Sequence, residues 1–295
     1  MRKKIGRRST EDNIIDAIIY IIGALVLFLT IYPFYYILIL SLNEGTDASL
    51  GGIYFFPRKF TLENYTFFFN DDKWIKAVII SVARTVIGTI FGTFITLIVS
   101  YGLSFENLKY RKFYMTVVFI CMYFGGGIIP YYTLLKFLHL INSFWVYVIP
   151  GALNTFFVIV GISFFRGIHP SLRESAIIDG ASEFQVFLRI ICPISKPFVA
   201  TMILFIGVGQ WNSWYDSAFF IRDQDLRTMS YLLMEAMNKT NLSASAAQSG
   251  ITISTTTSLS VQLAAMMVTV LPIIFIYPFL QKYFVSGIMI GSVKE

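Results

Sequence analysis

Charged residues are scarce in this sequence, and long hydrophobic runs take their place. Asp, Glu, Lys and Arg make up 14% of the 295 residues, whereas 56% are hydrophobic. A soluble domain carries about 25% charged residues and about 45–50% apolar ones. Phenylalanine (29) and tyrosine (17) are abundant, as is usual where rings face lipid or its interface. The composition excludes an ordinary soluble domain and predicts an integral membrane protein.

The sequence also lacks the residues that several kinds of chemistry require. Its two cysteines, Cys121 and Cys192, form no C-x-x-C pair, so no metal or redox motif is present. No glycine precedes a lysine, which excludes the phosphate-binding loop G-x-x-x-x-G-K-[ST]. His139 and His169 stand alone. An intramembrane enzyme needs paired catalytic groups at membrane depth, and Asp216 has no evident partner in the sequence. We therefore expect no catalytic site, no metal site and no cofactor bound by this chain.

Six apolar stretches are long enough to cross a bilayer, which takes roughly 20 residues each. They lie near residues 14–40, 77–104, 113–137, 143–165, 198–221 and 259–280. The first follows the basic start MRKKIGRR, but it is about twice as long as the core of a signal peptide and lacks a small-residue cleavage site. We therefore expect it to be retained. The pattern predicts an all-α, polytopic membrane protein with six transmembrane helices.

The placement of the basic residues predicts an orientation in the membrane. The net charge is +6, which in this class of protein does not indicate a nucleic-acid partner. If the N-terminus is cytoplasmic, the segments on that side carry more Lys and Arg than the external ones, as the positive-inside rule requires. Both termini are therefore predicted to be cytoplasmic. The predicted organisation is a basic N-terminus at 1–13, a six-span domain at 14–280 with external segments at 41–76 and 222–258 and a cytoplasmic loop at 166–197, and a cytoplasmic tail at 281–295.

The stretch ESAIIDGASEFQVFLRIICPISKP, residues 174–197, is charged although it lies between two apolar segments. Ser171 and Glu174 have the spacing of a helix capping box. Gly180 would weaken a helix interior by up to about 1 kcal/mol relative to Ala, so it indicates a bend or a close approach of another backbone. One helix face is apolar or small: Leu172, Ala176, Gly180, Phe184, Phe187, Leu188 and Ile191. The pattern predicts a short amphipathic helix pair. This pair could rest on lipid, Glu174 could serve only to cap its own helix, or the pair could dock a cytoplasmic partner.

This segment resembles the EAA motif of ABC importer permeases, which reads EAA, three residues, G, nine residues, I, one residue, LP. The matching residues are Glu174, Ala176, Gly180, Ile190 and Pro193. Ser175 and Cys192 stand where the motif usually has Ala and Leu, and both are small or apolar. The sequence IIDGAS at 177–182, which includes Asp179, is typical of the carbohydrate-uptake branch.

The resemblance extends over most of the chain, to a subgroup of bacterial permeases that import complex oligosaccharides. The similar stretches are GGIYFFPRKFTLENY (51–65), FGGGIIPYYTLLKFLHLINSFWVYVIPGAL (124–153), GQWNSWYDSAFFI (209–221) and YPFLQKYFVSGIMIGSVKE (277–295). The subgroup is related to the alginate and rhamnogalacturonan systems and to lipoprotein-linked permeases, and at greater distance to the shorter maltose permease subunit. A permease for amino acids or peptides is the alternative.

The resemblance implies a type I importer permease in a bacterial cytoplasmic membrane, with a coupling helix between spans 4 and 5. The implied partners are a homologous second permease, two cytoplasmic ATPase subunits that hold ATP and Mg, an extracellular solute-binding protein and an oligosaccharide. The residues implied to couple to the ATPase are Glu174, Ser175, Ala176, Asp179, Gly180, Ile190 and Pro193.

The stretch GQWNSWYD at 209–216 combines flat aromatic rings with polar side chains near the outer end of the fifth span. Sugars present apolar C–H faces and hydroxyl rims, which such a mixture suits. An aromatic belt at the membrane interface is the alternative. The predicted substrate-path residues are Trp211, Asn212, Trp214, Tyr215 and, with less support, Asn154. Arg84 would face a cavity or pair with a carboxylate for structural reasons.

The segment 222–258 is long, polar and poor in core-forming residues. A structureless loop of this length is uncommon unless it is functional. The equivalent loop of maltose-type permeases reaches into the binding protein, so the resemblance implies the same role here. A disordered tether is the alternative.

Overall fold

A computed structural model describes residues 10–248, 259, 261–276 and 278. These residues are helical and contain no strand, apart from an isolated bridge between Asn43 and Phe60. The all-α expectation is therefore confirmed. The chain divides into two compact units, unit 1 with residues 1–68 and 239–268 and unit 2 with residues 69–238 and 269–295.

Unit 1 begins with a long apolar helix, α1 (Thr10–Ser41). Its mean hydropathy reaches 2.6, and the described chain buries none of that apolar stretch. Two short helices follow, α2 (Gly45–Ser49) and α3 (Glu63–Asn70). The Tyr35 hydroxyl donates to the carbonyl of Phe55 at 2.7 Å, and Ser41 and Tyr65 share a hydroxyl bond of 2.7 Å. The segment after α1 is thus tied to the end of that helix.

Unit 2 is organised around α4 (Asp72–Ser104), on which α7 (Thr155–Arg166) and α11 (Lys196–Asn212) pack. Small residues allow the close contact. A Cβ on Gly161 of α7 would lie 2.7 Å from Ser100, and one on Gly88 of α4 would lie 2.9 Å from Gln210. The inner part of this core is apolar and aromatic: Leu97, Phe157, Phe165, Phe187, Phe198 and Met202 are buried in one cluster.

Three apolar helix pairs are sharply bent rather than straight. The pair α5 (Arg111–Tyr123) and α6 (Ile128–Phe137) bends by 119°. The pair α7 and α8 (Ser171–Ile178) bends by 77°, and Glu183–Ile194 meets α11 at 84°. By length and composition, the described residues contain two helices that can cross a membrane, or up to five spans if each bent pair is one. The count of six spans stays a prediction.

Several helix boundaries differ from the apolar stretches of the sequence. The stretch 143–165 is a 3-10 helix at Phe144–Tyr147, turns, and then α7, because turn-forming residues at 150–154 interrupt the apolar run. The stretch 198–221 is divided between α11 and α12 (Tyr215–Phe220).

The remaining helices lie toward the end of the chain. A short 3-10 helix, Gln224–Leu226, precedes α13 (Met229–Gln248), so much of the segment expected to be a loop is helical. The last described helix is α14 (Val261–Ile276). The predicted N-terminus at 1–13 is described only from residue 10, and the tail at 281–295 lies outside the described residues.

Candidate functional site

The EAA-like segment folds into two short helical pieces that meet at Gly180. Helix α8 ends at Ile178, and Gly180 takes a φ of 86°. The amide of Ala181 donates to the carbonyl of Ala176, and that of Gly180 to Ile177, both at 2.9 Å. This is a Schellman motif with glycine at C′. Of the two sequence expectations, the structure shows the bend: apart from the two adjacent residues, no described atom lies within 4 Å of a Cβ built on Gly180.

The second piece begins at a capping box that the sequence analysis placed elsewhere. Helix α9 (Glu183–Val186) starts after Ser182, whose Oγ accepts from the amide of Gln185 at 3.4 Å. The Gln185 side chain accepts from the amide of Ser182 at 2.9 Å. The expected box at Ser171 was wrong, because α8 begins one residue earlier than it requires and the Ser171 hydroxyl bonds His169 at 2.8 Å.

The predicted apolar face is not continuous through the bend. Ala176 is buried, but Leu172 and Phe184 are exposed. Because Gly180 breaks the helix, the four-residue spacing does not carry across it. The chain continues through a π-helical turn, Phe187–Ile191, and α10 (Cys192–Ile194). The buried residues of this second piece are Val186, Phe187 and Ile191, with Ile190 and Cys192 packed beside them.

The outer side of the segment combines charge with an exposed apolar residue. Ile178 is 85% exposed. The predicted coupling residues Glu174, Ser175, Asp179, Gly180 and Pro193 are also exposed. An ion pair between Arg173 and Glu183 links the two pieces across the bend. Its hydrogen bond raises the pKa of the Arg173 guanidinium, which also lies 4.8 Å from the ring centre of Phe105. The segment is therefore a braced, two-piece surface with one side in the core.

The aromatic residues near 211–215 do not share one environment. Trp211 is buried, and its indole nitrogen donates to the carbonyl of Thr269 at 2.9 Å. It lines an apolar cavity of about 370 Å³ together with residues such as Val86, Leu204 and Ile273. Trp211 and Trp214 are three residues apart, a spacing that would place them on one face of a continuous helix, but α11 ends at Asn212 before the turn is complete.

The other predicted substrate-path residues lie in two places. Trp214 and Tyr215 are 41% and 40% exposed, and Asn212 is also exposed. Asn154 caps α7, since its side-chain oxygen accepts from the amide of Phe157 at 3.1 Å. The structure thus brings Asn212, Trp214 and Tyr215 together at the end of α11, whereas Asn154 begins a different helix.

A charge pair between a buried arginine and a partly buried aspartate lies beside Trp214 and Tyr215. Arg84 of α4 is 3% exposed and is paired with Asp216, which therefore does have a partner. Its Nε donates to the side-chain oxygen of Gln210 at 2.8 Å, and its Nη1 donates to the carbonyl of Ser213 at 3.0 Å. The ring centre of Tyr147 lies 4.6 Å from the guanidinium carbon. The sequence offered Arg84 and Asp216 as isolated charges in apolar surroundings, but Ser213 and Tyr147 carried no such signal.

The fold and the EAA-like segment define a helical membrane protein of the ABC importer permease class. The structure is similar to that of a bacterial ABC transporter involved in the import of the acidic polysaccharide alginate. The TM-score is 0.80 and the identity 25%, over 94% of this chain and 99% of that chain. No family model matches the chain.

Two relatives from Bacillus subtilis strain 168 cover almost the whole chain. Protein LplC is 36% identical over 90% of each chain. The polygalacturonan/rhamnogalacturonan transport system permease protein YtcP is 31% identical over 96% of this chain and 99% of its own length. The chain belongs to the sugar ABC transporter permease family, which confirms the resemblance read from the sequence.

Proposed function

We propose that this chain is the permease subunit of an ABC importer that moves oligosaccharides, derived from a complex polysaccharide, across the cytoplasmic membrane. The observation that carries the proposal is the folded EAA-like segment, which has a buried inner side and an exposed outer side, in a chain of this family. The relatives favour a sugar over an amino acid or a peptide.

The segment 166–197 is proposed to couple the permease to a separate ATPase. Ile178 and the exposed residues Glu174, Ser175, Asp179 and Gly180 would enter a cleft on that subunit, while the buried Ala176 and the partly buried Ile190 transmit the movement to the core. The chain would do no catalysis itself, because ATP and Mg would be held by two ATPase subunits.

The remaining partners are proposed from the same resemblance. A homologous second permease would complete the pathway, and an extracellular solute-binding protein would deliver the sugar to the side that carries 41–76 and 222–258. Both termini would be cytoplasmic. Asn212, Trp214 and Tyr215 are proposed to line the path, with Trp211 and Asn154 in its wall.

The test is uptake by the complete complex in proteoliposomes. The solute-binding protein is first titrated by calorimetry with oligogalacturonides, rhamnogalacturonan fragments, neutral oligosaccharides, amino acids and short peptides. The bound ligands are then labelled and offered to vesicles that contain the complex and ATP. We expect ATP-dependent accumulation of an oligosaccharide. Uptake restricted to an amino acid or a peptide would contradict the proposal, and a catalytically inactive ATPase subunit is the control.

A further inference from the structure

We propose that Arg84 is a positioning residue that holds Trp214 and Tyr215 toward the oligosaccharide path. The inference rests on the proposed function, because it places these two aromatic side chains beside the sugar. Arg84 itself would act through the main chain and Asp216, without touching the substrate.

The two aromatic residues lie between two points that the same guanidinium group fixes. Nη1 of Arg84 donates to the carbonyl of Ser213, directly before the pair. Nη2 bonds the carboxylate of Asp216, directly after it. Helix α11 ends at Asn212 and α12 begins at Tyr215, so the pair lies at the break between them. Because both flanks are anchored to one rigid group, the break has little freedom to shift.

Arginine suits this task better than lysine. Its guanidinium is a planar fork with five donors, whereas a lysine ammonium is a point charge on a flexible stem. Here the fork bonds three acceptors in different directions, on Gln210, Ser213 and Asp216. The carbonyl of Ser213 follows the last turn of α11, where carbonyl groups lack intrahelical partners. Arg84 therefore supplies a donor that the helix itself cannot.

We call Arg84 together with its two anchors, the Ser213 carbonyl and the Asp216 carboxylate, the Arg84 bracket. Arg84 itself is enclosed by its neighbours, whereas the rings of Trp214 and Tyr215 are accessible. Arg84 is 3% exposed and lies against the Tyr147 ring. The Tyr147 hydroxyl donates in turn to the carbonyl of Leu226 at 2.7 Å. By contrast, Trp214 and Tyr215 are each about two-fifths exposed. Charged residues at membrane depth usually face a bundle interior or a cavity and mark transport paths. An exposed aromatic pair on a buried, charged base fits such a path.

The decisive measurement is the number of sugar molecules imported per ATP hydrolysed. It is made on the complete complex in proteoliposomes, with the loaded binding protein at saturation. Misplacing a contact group by about 1 Å can lower a rate by up to about 100-fold. For Arg84→Lys we expect sugar per ATP to fall by about tenfold or more, while ATP hydrolysis still responds to the loaded binding protein. If import and hydrolysis fall together, the ratio is unchanged and the proposal is overturned.

Arg227→Lys is the matched control. Arg227 also lies over a tyrosine ring, 4.9 Å from the centre of Tyr231, and 3.8 Å from a carboxylate oxygen of Glu235. Neither of these two contacts involves residues 213–216. We expect this variant to keep the wild-type ratio. An equal fall in both variants would show a general effect of losing a guanidinium group, and would overturn the proposal.

One double variant keeps the test decisive if Arg84→Lys fails to fold. Replacing a buried ion pair by apolar residues often leaves a protein stable, so the double variant Arg84→Met, Asp216→Leu is expected to assemble. It should show the same fall in sugar per ATP, because Ser213 has lost its donor. A wild-type ratio in this assembled variant overturns the proposal.

A double-mutant cycle tests whether Arg84 acts through Trp214 and Tyr215. In a Trp214→Ala, Tyr215→Ala background, Arg84→Lys should change sugar per ATP by less than about twofold, since coupled sites are not additive. Fully additive effects would place the action of Arg84 elsewhere and overturn the proposal. Failure of the wild-type complex to import any oligosaccharide contradicts the proposed function, whereas normal wild-type import with unaffected variants contradicts only the role of Arg84.

Discussion

Two helix breaks in unit 2 are built in opposite ways. At Gly180 the chain turns through a left-handed residue and two main-chain hydrogen bonds, with contributions from neighbours in sequence. At Ser213 the chain turns where Arg84 donates to its carbonyl from 129 residues away. The first break depends on what the backbone can adopt. The second depends on a side chain from another helix, so a distant substitution can disturb it.

The largest effect is expected from Gly180→Val, which disturbs the break at Gly180. A left-handed conformation costs roughly 1–2 kcal/mol for a residue with a Cβ, and more for a β-branched one. The segment should lose its bend and with it the proposed coupling to an ATPase. We expect the protein to reach the membrane, while uptake and the stimulation of ATP hydrolysis by the loaded binding protein are both abolished.

Gly180→Asn is the matched control for this variant, because asparagine tolerates the left-handed region. The described atoms of this chain leave open space around a Cβ at this position. Asparagine and valine are similar in size, so the two variants present a similar bulk to the proposed ATPase cleft and differ mainly in the backbone conformation that they tolerate. Uptake should therefore be largely retained with asparagine. Normal uptake by the valine variant would count against a coupling role that needs this bend.

A smaller effect is expected from Gly88→Ala, which disturbs the contacts of Arg84 at the break near Ser213. The new Cβ would lie 2.9 Å from Cδ and Nε2 of Gln210, whose side chain accepts from Arg84. The Gln210 side chain is flexible, but moving away from the new methyl group would weaken its bond with Arg84, so we expect a cost at the lower end of the about 1–3 kcal/mol that is typical of overpacking. We expect a lower midpoint of thermal unfolding for the purified complex in a fixed detergent.

Gly209→Ala provides the comparison for Gly88→Ala. It also adds a methyl group within a helix, but apart from its chain neighbours and the backbone of its own helix, no described atom lies within 4 Å of the added Cβ. Because alanine favours a helix over glycine by up to about 1 kcal/mol, this variant should be neutral or slightly more stable. Equal losses in the two alanine variants would contradict the close contact between α4 and Gln210.

The smallest effect is expected from Ser182→Ala in the capping box of α9. Loss of a side-chain cap costs typically about 1 kcal/mol. Amide hydrogen exchange in 183–186 should become faster, whereas Ser171→Ala should leave exchange in α8 almost unchanged because Ser171 caps nothing there. The reverse pattern would restore the capping box that the sequence first indicated.

Features that depend on neighbouring residues could be predicted from the sequence. The all-α architecture follows from local composition and spacing. Gly180 indicated either a bend or a close approach of another backbone, and the structure shows the bend. Even here the capping box was expected at Ser171, whereas the structure has it at Ser182. The spacing S-E-F-Q at 182–185 was a signal for the second box. The prediction of a continuous apolar face was wrong because the four-residue spacing was extended through Gly180, which breaks the helix.

Features that depend on contacts between distant segments could not be predicted in the same way. Arg84 was an unusual charge in an apolar helix, but nothing local assigned it to Asp216 or to the carbonyl of Ser213. The end of α11 was missed for the same reason, because the apolar run continues past Asn212. Trp211 and Trp214 consequently appeared to be neighbours on one helix, although one is buried and the other exposed.

The two anchors of the Arg84 bracket have a practical consequence for protein engineering. One is a main-chain carbonyl and the other is the carboxylate of Asp216, so neither depends on the side chains at 214 and 215. A library randomised at these two positions alone would keep its scaffold while varying the surface that is proposed to face a sugar. Such a dipeptide is a natural place to begin retargeting the importer to new carbohydrates.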